Sequence, residues 1–131
     1  MSKVIVHIKD APNPVGPYSQ AEVADGWICT SGQVGLDPAT GALVGADVVA
    51  QADQALRNLE AILRSVGCDL SSVVKSTVFL TDMDDFTAVN SVYSRYFPMD
   101  FPARSCVEVS RLPLGALVEI DVMARLNGPR A

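Results

Sequence analysis

Six apolar residues between Asp47 and Val66 settle the architecture first. Val49, Ala52, Leu56, Leu59, Leu63 and Val66 recur at alternating steps of three and four, the pattern of one buried helix face. Arg57, Asn58, Glu60 and Arg64 lie off that stripe, and Gly67 supplies a left-handed stop. A second helix is predicted over Asp85 to Tyr96, capped by Asp82 or Asp84, with Phe86, Val89, Tyr93 and Phe97 on its inner face. Strands are predicted at Lys3–Ile8, Ala21–Ala24, Trp27–Val34, Val73–Thr81, from Arg104 onward, and at Leu117–Leu126. In the last of these, Val118, Ile120, Val122, Ala124 and Leu126 form one clean apolar face. The order is therefore β, β, β, α, β, α, β, β. Two helices with one stripe each cover only one face of a mixed sheet of five or six strands, which predicts an α+β domain. The other face would carry Phe79, Leu117 and Met123 among Lys75, Thr77, Glu119 and Asp121. Such a semi-apolar face is expected to pack against further copies of the chain, in a closed symmetric oligomer.

The connections are short. Asp10–Gln20 holds Pro12, Pro14 and Pro17 and reads as an ordered irregular loop. Asp25-Gly26 is a hairpin turn, Leu36–Gly45 a loop, Leu112–Ala116 the hairpin connection between the last two strands, and Gly128–Ala131 a tail. The 131 residues read as a single domain over 1–131, 49% hydrophobic and 19% charged. With 15 acidic and 10 basic side chains the net charge is −5, which argues against a nucleic-acid partner. No apolar run approaches the ~20 residues of a membrane helix. Met1–Asp10 lacks the apolar core of a signal peptide and the Arg-rich pattern of a transit peptide, so a cytoplasmic, soluble protein is expected. The cysteines are Cys29, Cys68 and Cys106, and the one histidine is His7. This scattered set predicts neither a disulfide framework nor a zinc site, and no metal or cofactor is expected.

Chemistry concentrates around Phe101-Pro102-Ala103-Arg104-Ser105-Cys106 and Glu119. Arginine presents a planar fork that matches a carboxylate bidentately. A nearby glutamate can orient or deprotonate water. The two strands, read as a pair, would offer both groups on their non-core side, a site for a small carboxylic acid that reacts with water. Desolvation of Glu119 at an interface would raise its pKa. Asn90 falls on or beside the stripe of the second helix, where an amide must find partners. Tyr18 sits in a Pro/Gly loop, Ser31 precedes Gly32 inside a strand, and Cys106 shares the face of Arg104. A strand glycine signals close approach of a ligand or backbone, or a bulge.

Taken together, Gly16-Pro17-Tyr18-Ser19-Gln20, Thr30-Ser31-Gly32-Gln33-Val34, Lys75-Ser76-Thr77-Val78-Phe79-Leu80, Pro102-Ala103-Arg104-Ser105-Cys106-Val107 and Val118-Glu119-Ile120 resemble the blocks of the RidA/YjgF family, the reactive-intermediate (enamine/imine) deaminases. The resemblance spans nearly the whole chain. It implies a chorismate-mutase-like fold and a homotrimer whose sheets form a central barrel, with three sites in the clefts between subunits. It implies that Arg104 holds a substrate carboxylate and that Glu119 activates water. Tyr18, Ser31, Gly32, Asn90 and Cys106 would line the pocket. The implied substrates are 2-aminoacrylate and related enamines as 2-imino acids, released as 2-oxo acids and ammonia. A non-catalytic carboxylate-binding or chaperone-like trimer and a pathway-specific deaminase, such as one for 2-aminomuconate, use the same residues. A ribonuclease role fits the acidic balance less well.

Overall fold

The computed structural model of the chain describes residues 2–126, so the tail expected at Gly128–Ala131 lies outside the described residues. Its elements are β1 (Val4–Val6), β2 (Ala21–Ala24), β3 (Trp27–Thr30), β4 (Gln33–Val34), α1 (Val48–Ser65), β5 (Val73–Leu80), α2 (Phe86–Tyr96), β6 (Ala103–Glu108) and β7 (Val118–Arg125). The strands make a 7-stranded sheet in the order β1-β2-β3-β7-β5-β6, with β4 also paired to β7. The sheet is mixed: β5 and β6 run parallel, and the remaining pairs are antiparallel.

Two strand expectations need correction. The stretch Trp27–Val34 is not one strand: it breaks at Ser31-Gly32 into β3 and β4, both resting on β7. That break gives the seventh strand. Leu112–Ala116 is not a hairpin connection either. The β5-α2-β6 segment is a parallel crossover unit, which parallel strands require. The free side of β5 is then taken by β7, so the chain leaving β6 crosses over β5 before it pairs.

α1 follows its sequence pattern. Asp47 caps it, accepting a hydrogen bond from the Val49 N–H at 3.2 Å, and Gly67 at φ +82 ends it. Ala52, Leu56, Leu59 and Leu63 are fully buried, while Val49 and Val66 sit at the margin. Asn58, expected off the stripe, is buried. Its amide donates to the carbonyls of Val34 and Leu36 at 3.3 and 3.0 Å and so anchors the β4 region to the helix. Gly35 allows this contact, because a Cβ there would stand 2.6 Å from the Gln51 Cα. α2 starts differently from expectation. Asp82 caps a preceding 3-10 turn through the Asp84 N–H, and Asp85 at the α2 N-cap makes no side-chain bond. Val89, Tyr93 and Phe97 are buried as expected, but Phe86 is 38% exposed.

One hydrophobic cluster joins both helices to a single sheet face that includes Ile28, Val78, Leu80, Val118, Ile120, Val122 and Ala124. On the opposite face Lys75, Thr77, Phe79, Glu119 and Asp121 are half-buried and Met123 is exposed. Leu117, expected on that face, packs partly against the core instead.

Candidate functional site

Glu119 lies on the uncovered face, opposite Phe79 across the β5–β7 ladder and opposite Val34 across β4–β7. It looks into a recess shared with Tyr18, Gly32, Pro113 and Leu114. Gly32 is there because nothing larger fits: a Cβ would sit 2.5 Å from the Glu119 Oε2 and 2.8 Å from its Cγ. Burial, with the Asp121 carboxylate adding to it, raises the Glu119 carboxyl above its ordinary pKa of 4.5. Burial likewise raises Asp121, opposed by Lys75. Among the described residues Glu119 has no salt-bridge partner.

Arg104 lies on the other face. It pairs in register with Ser76, whose side chain is fully buried under α2. The Arg104 guanidinium carbon stands 4.7 Å from the Tyr93 ring centroid and 5.6 Å from that of Phe86, both within cation–π range. Asn90, Tyr93, Ser94, Phe101 and Pro102 line an open recess with it. Among the described residues no carboxylate pairs with it. Cys106, in register with Val78, follows on the same face; burial pushes its thiol pKa up and the nearby Arg104 pulls it back.

The two central groups thus occupy opposite faces of one sheet, with β5 between their strands. This corrects the expectation that one strand pair presents both on its non-core side. Within a subunit the structure joins Glu119 with Gly32 and Tyr18, and Arg104 with Asn90 and Cys106. Ser31 adjoins Gly32 and opens toward a third recess, which Tyr18 also borders; its hydroxyl donates to the Ser19 carbonyl at 2.5 Å. Tyr18 is 47% exposed, and its hydroxyl accepts from the Val15 N–H at 3.1 Å.

The family model described as endoribonuclease L-PSP matches residues 8–126. The chain belongs to this family, known also as RidA/YjgF. Among curated relatives of this RidA/YjgF chain, a RutC family protein from Synechocystis is 52% identical over 96% of this chain and 98% of its own length. A 2-iminobutanoate/2-iminopropanoate deaminase from Capra hircus is 50% identical over 95% of this chain and 90% of its own. The crystal structure of the Rid family protein YyfA from Yersinia pestis superposes with a TM-score of 0.93 at 44% identity, covering 95% of this chain and 100% of that one.

Sequence reading of this RidA/YjgF member missed three features of the recesses. Tyr93 and Phe86 read as core residues because their spacing is that of the α2 stripe; only the exposure of Phe86 separates it from the core. Leu114, 57% exposed on the Glu119 recess, holds a left-handed φ of +60, a conformation a bulky residue rarely takes. Leu-Gly after Pro113 was the available turn signal.

Proposed function

We propose that this protein hydrolyses small 2-imino acids, the tautomers of reactive enamines such as 2-aminoacrylate, to 2-oxo acids and ammonia. The observation that carries the reading is Arg104: a guanidinium without a carboxylate partner among the described residues, at the wall of an open recess beside Asn90. A cation so left is suited to a ligand carboxylate, which it grips by paired charge-assisted hydrogen bonds. The name carried by relatives at about half identity supports the substrate class.

In the reaction Arg104 orients the imino acid through its carboxylate. Glu119 accepts a proton from water as the oxygen attacks the imine carbon. The same carboxyl returns that proton to nitrogen, giving the tetrahedral carbinolamine, and then relays the adduct's hydroxyl proton to nitrogen as the C–N bond breaks, so that ammonia leaves and the carbonyl forms. Asn90 and Cys106 line the Arg104 side of the pocket; Tyr18, Ser31 and Gly32 line the Glu119 side. Because the two groups face opposite ways in one subunit, Arg104 of one copy meets Glu119 of the next. The assembly is a homotrimer with the uncovered sheet faces turned inward as a barrel. Exposed apolar residues on both rims, Phe101 beside Arg104 and Leu114 beside Glu119, support that contact. The protein works in the cytoplasm, where pyridoxal-phosphate dehydratases release such enamines. The ribonuclease activity in the family description fits a chain of net charge −5 less well.

The test couples a serine/threonine dehydratase to the protein and follows 2-imino acid decay. Arg104→Ala and Glu119→Gln are each expected to lower the accelerated rate ~10²–10⁴-fold, the worth of one placed acid–base or binding group. Unchanged decay with either variant would falsify the role given to that residue.

A further inference from the structure

We infer that Tyr93 and Phe86 form an aromatic clamp that positions Arg104 for its carboxylate ligand, an inference resting on the imino-acid reading above. The clamp closes as a loop of contacts. The β5–β6 register sets the Arg104 backbone beside Ser76. The Ser76 hydroxyl meets the Tyr93 hydroxyl at 2.6 Å, with both groups buried. The Tyr93 ring carries the guanidinium at 4.7 Å, and Phe97 backs that ring at 4.5 Å in a stacked pair. Arg104, Tyr93 and Phe97 are thus linked by successive ring-face contacts running from the open recess into the core. Phe86 bounds the guanidinium from the first turn of α2 at 5.6 Å. Phe86 is 38% exposed, with its ring turned to the guanidinium rather than buried with the other members of the stripe.

Ring faces hold a guanidinium without using its N–H edge. An acidic partner would hold it too, but would compete with the ligand's carboxylate for those same donors. Arginine carries much rotamer freedom, and ordering it before the ligand arrives removes that cost from binding. Tyr93 and Phe86 are therefore positioning residues, acting through Arg104.

The test measures the inhibition constant of 2-oxobutanoate together with kcat and KM for the dehydratase-generated 2-imino acid. It uses the assembled protein. Tyr93→Leu is expected to raise both the inhibition constant and KM about 5- to 30-fold, the range of a partly desolvated cation–π contact, with kcat within about threefold. Tyr93→Phe, which keeps the ring, restores both constants to within about threefold of wild type. In an Arg104→Ala background Tyr93→Leu is expected to add less than about twofold, since its contact is already gone. An equal loss in that background makes Tyr93 a scaffold residue and overturns the inference. So does a Tyr93→Leu protein that binds normally while Arg104→Ala does not. If Arg104→Ala leaves both constants unchanged, the imino-acid reading of Arg104 falls and the clamp with it. Should Tyr93→Leu fail to assemble, Phe86→Leu decides: a loss of about two- to fivefold, present only when Arg104 is present, supports the clamp, and no loss overturns it.

Discussion

A carboxyl buried beside another carboxylate keeps its proton to higher pH than a free glutamate does, and Glu119 is in that position. In the proposed reaction its working form is the ionised one, so kcat/KM is expected to fall along its acid limb as Glu119 takes up its proton. A pH–rate profile checks this, and Glu119→Gln should abolish the limb together with the activity. The same shift acts on stability with a definite sign. Below 4.5 the carboxyl is protonated in folded and unfolded chains alike and contributes nothing. Above its raised folded value it is ionised in both, and the fold bears the cost of its burial. In an Arg104→Ala background, where no guanidinium of a neighbouring copy offsets that cost, Glu119→Gln is therefore expected to melt higher at pH 7, with the gain fading as pH falls toward 4.5. Melting curves at the two pH values decide it. Gly32 was legible as a place of close approach or a bulge, the two things a glycine inside a strand signals. Its partner was not, since Gln33 and Val34 meet β7 through a pairing between segments remote in sequence.

α1 was legible almost to the residue because its periodicity, its cap and its glycine stop agree. Its polar core contact was not: Asn58 reads as surface until β4 supplies two carbonyls for it. Asn58→Leu strips those buried acceptors of their donor and is expected to cost about 1–3 kcal/mol. Urea unfolding would show this as a lower midpoint at unchanged slope. Gly35→Ala presses on the same junction from the other side, where a Cβ would stand 2.6 Å from the Gln51 Cα and carbonyl oxygen. Overpacking of that kind is worth about 1–3 kcal/mol, read by the same titration. The misread element is the approach to β7. Consecutive strands usually pair, so Leu112–Ala116 looked like a hairpin. That preference gives way here: α2 returns β6 parallel to β5 at the end of the sheet, and β7 pairs the far edge of β5 rather than the free edge of β6. Both side chains of the proposed site were legible as residue types suited to the proposed chemistry. Their faces were not, because face follows from strand order, and strand order from that crossover.

Strand order also sets how many copies the chemistry needs. Arg104 beneath α2 and Glu119 on the uncovered face are separated by the sheet itself, so a site using both must borrow one from a neighbour. Under that arrangement Arg104→Ala and Glu119→Gln are each inactive alone, yet complementary when mixed. In a ring of three, each site joins Arg104 of one subunit to Glu119 of the next. Any trimer containing both variants then holds one intact junction, where a Glu119→Gln subunit lends its arginine to an Arg104→Ala subunit. Random assembly from equal amounts makes about three-quarters of the trimers mixed; purification through both tags keeps only those, each with about one working site in three, so about one third of wild-type activity should return. Co-expression of the two variants with different affinity tags, purification through both, and the coupled imine assay would measure it. Pure trimers of either kind stay silent, which removes contamination as an explanation of any recovery. Were both groups supplied by one subunit, every subunit in the mixture would lack one of them and no activity would return. A chain that remains monomeric by light scattering while hydrolysing imines would defeat the arrangement more directly.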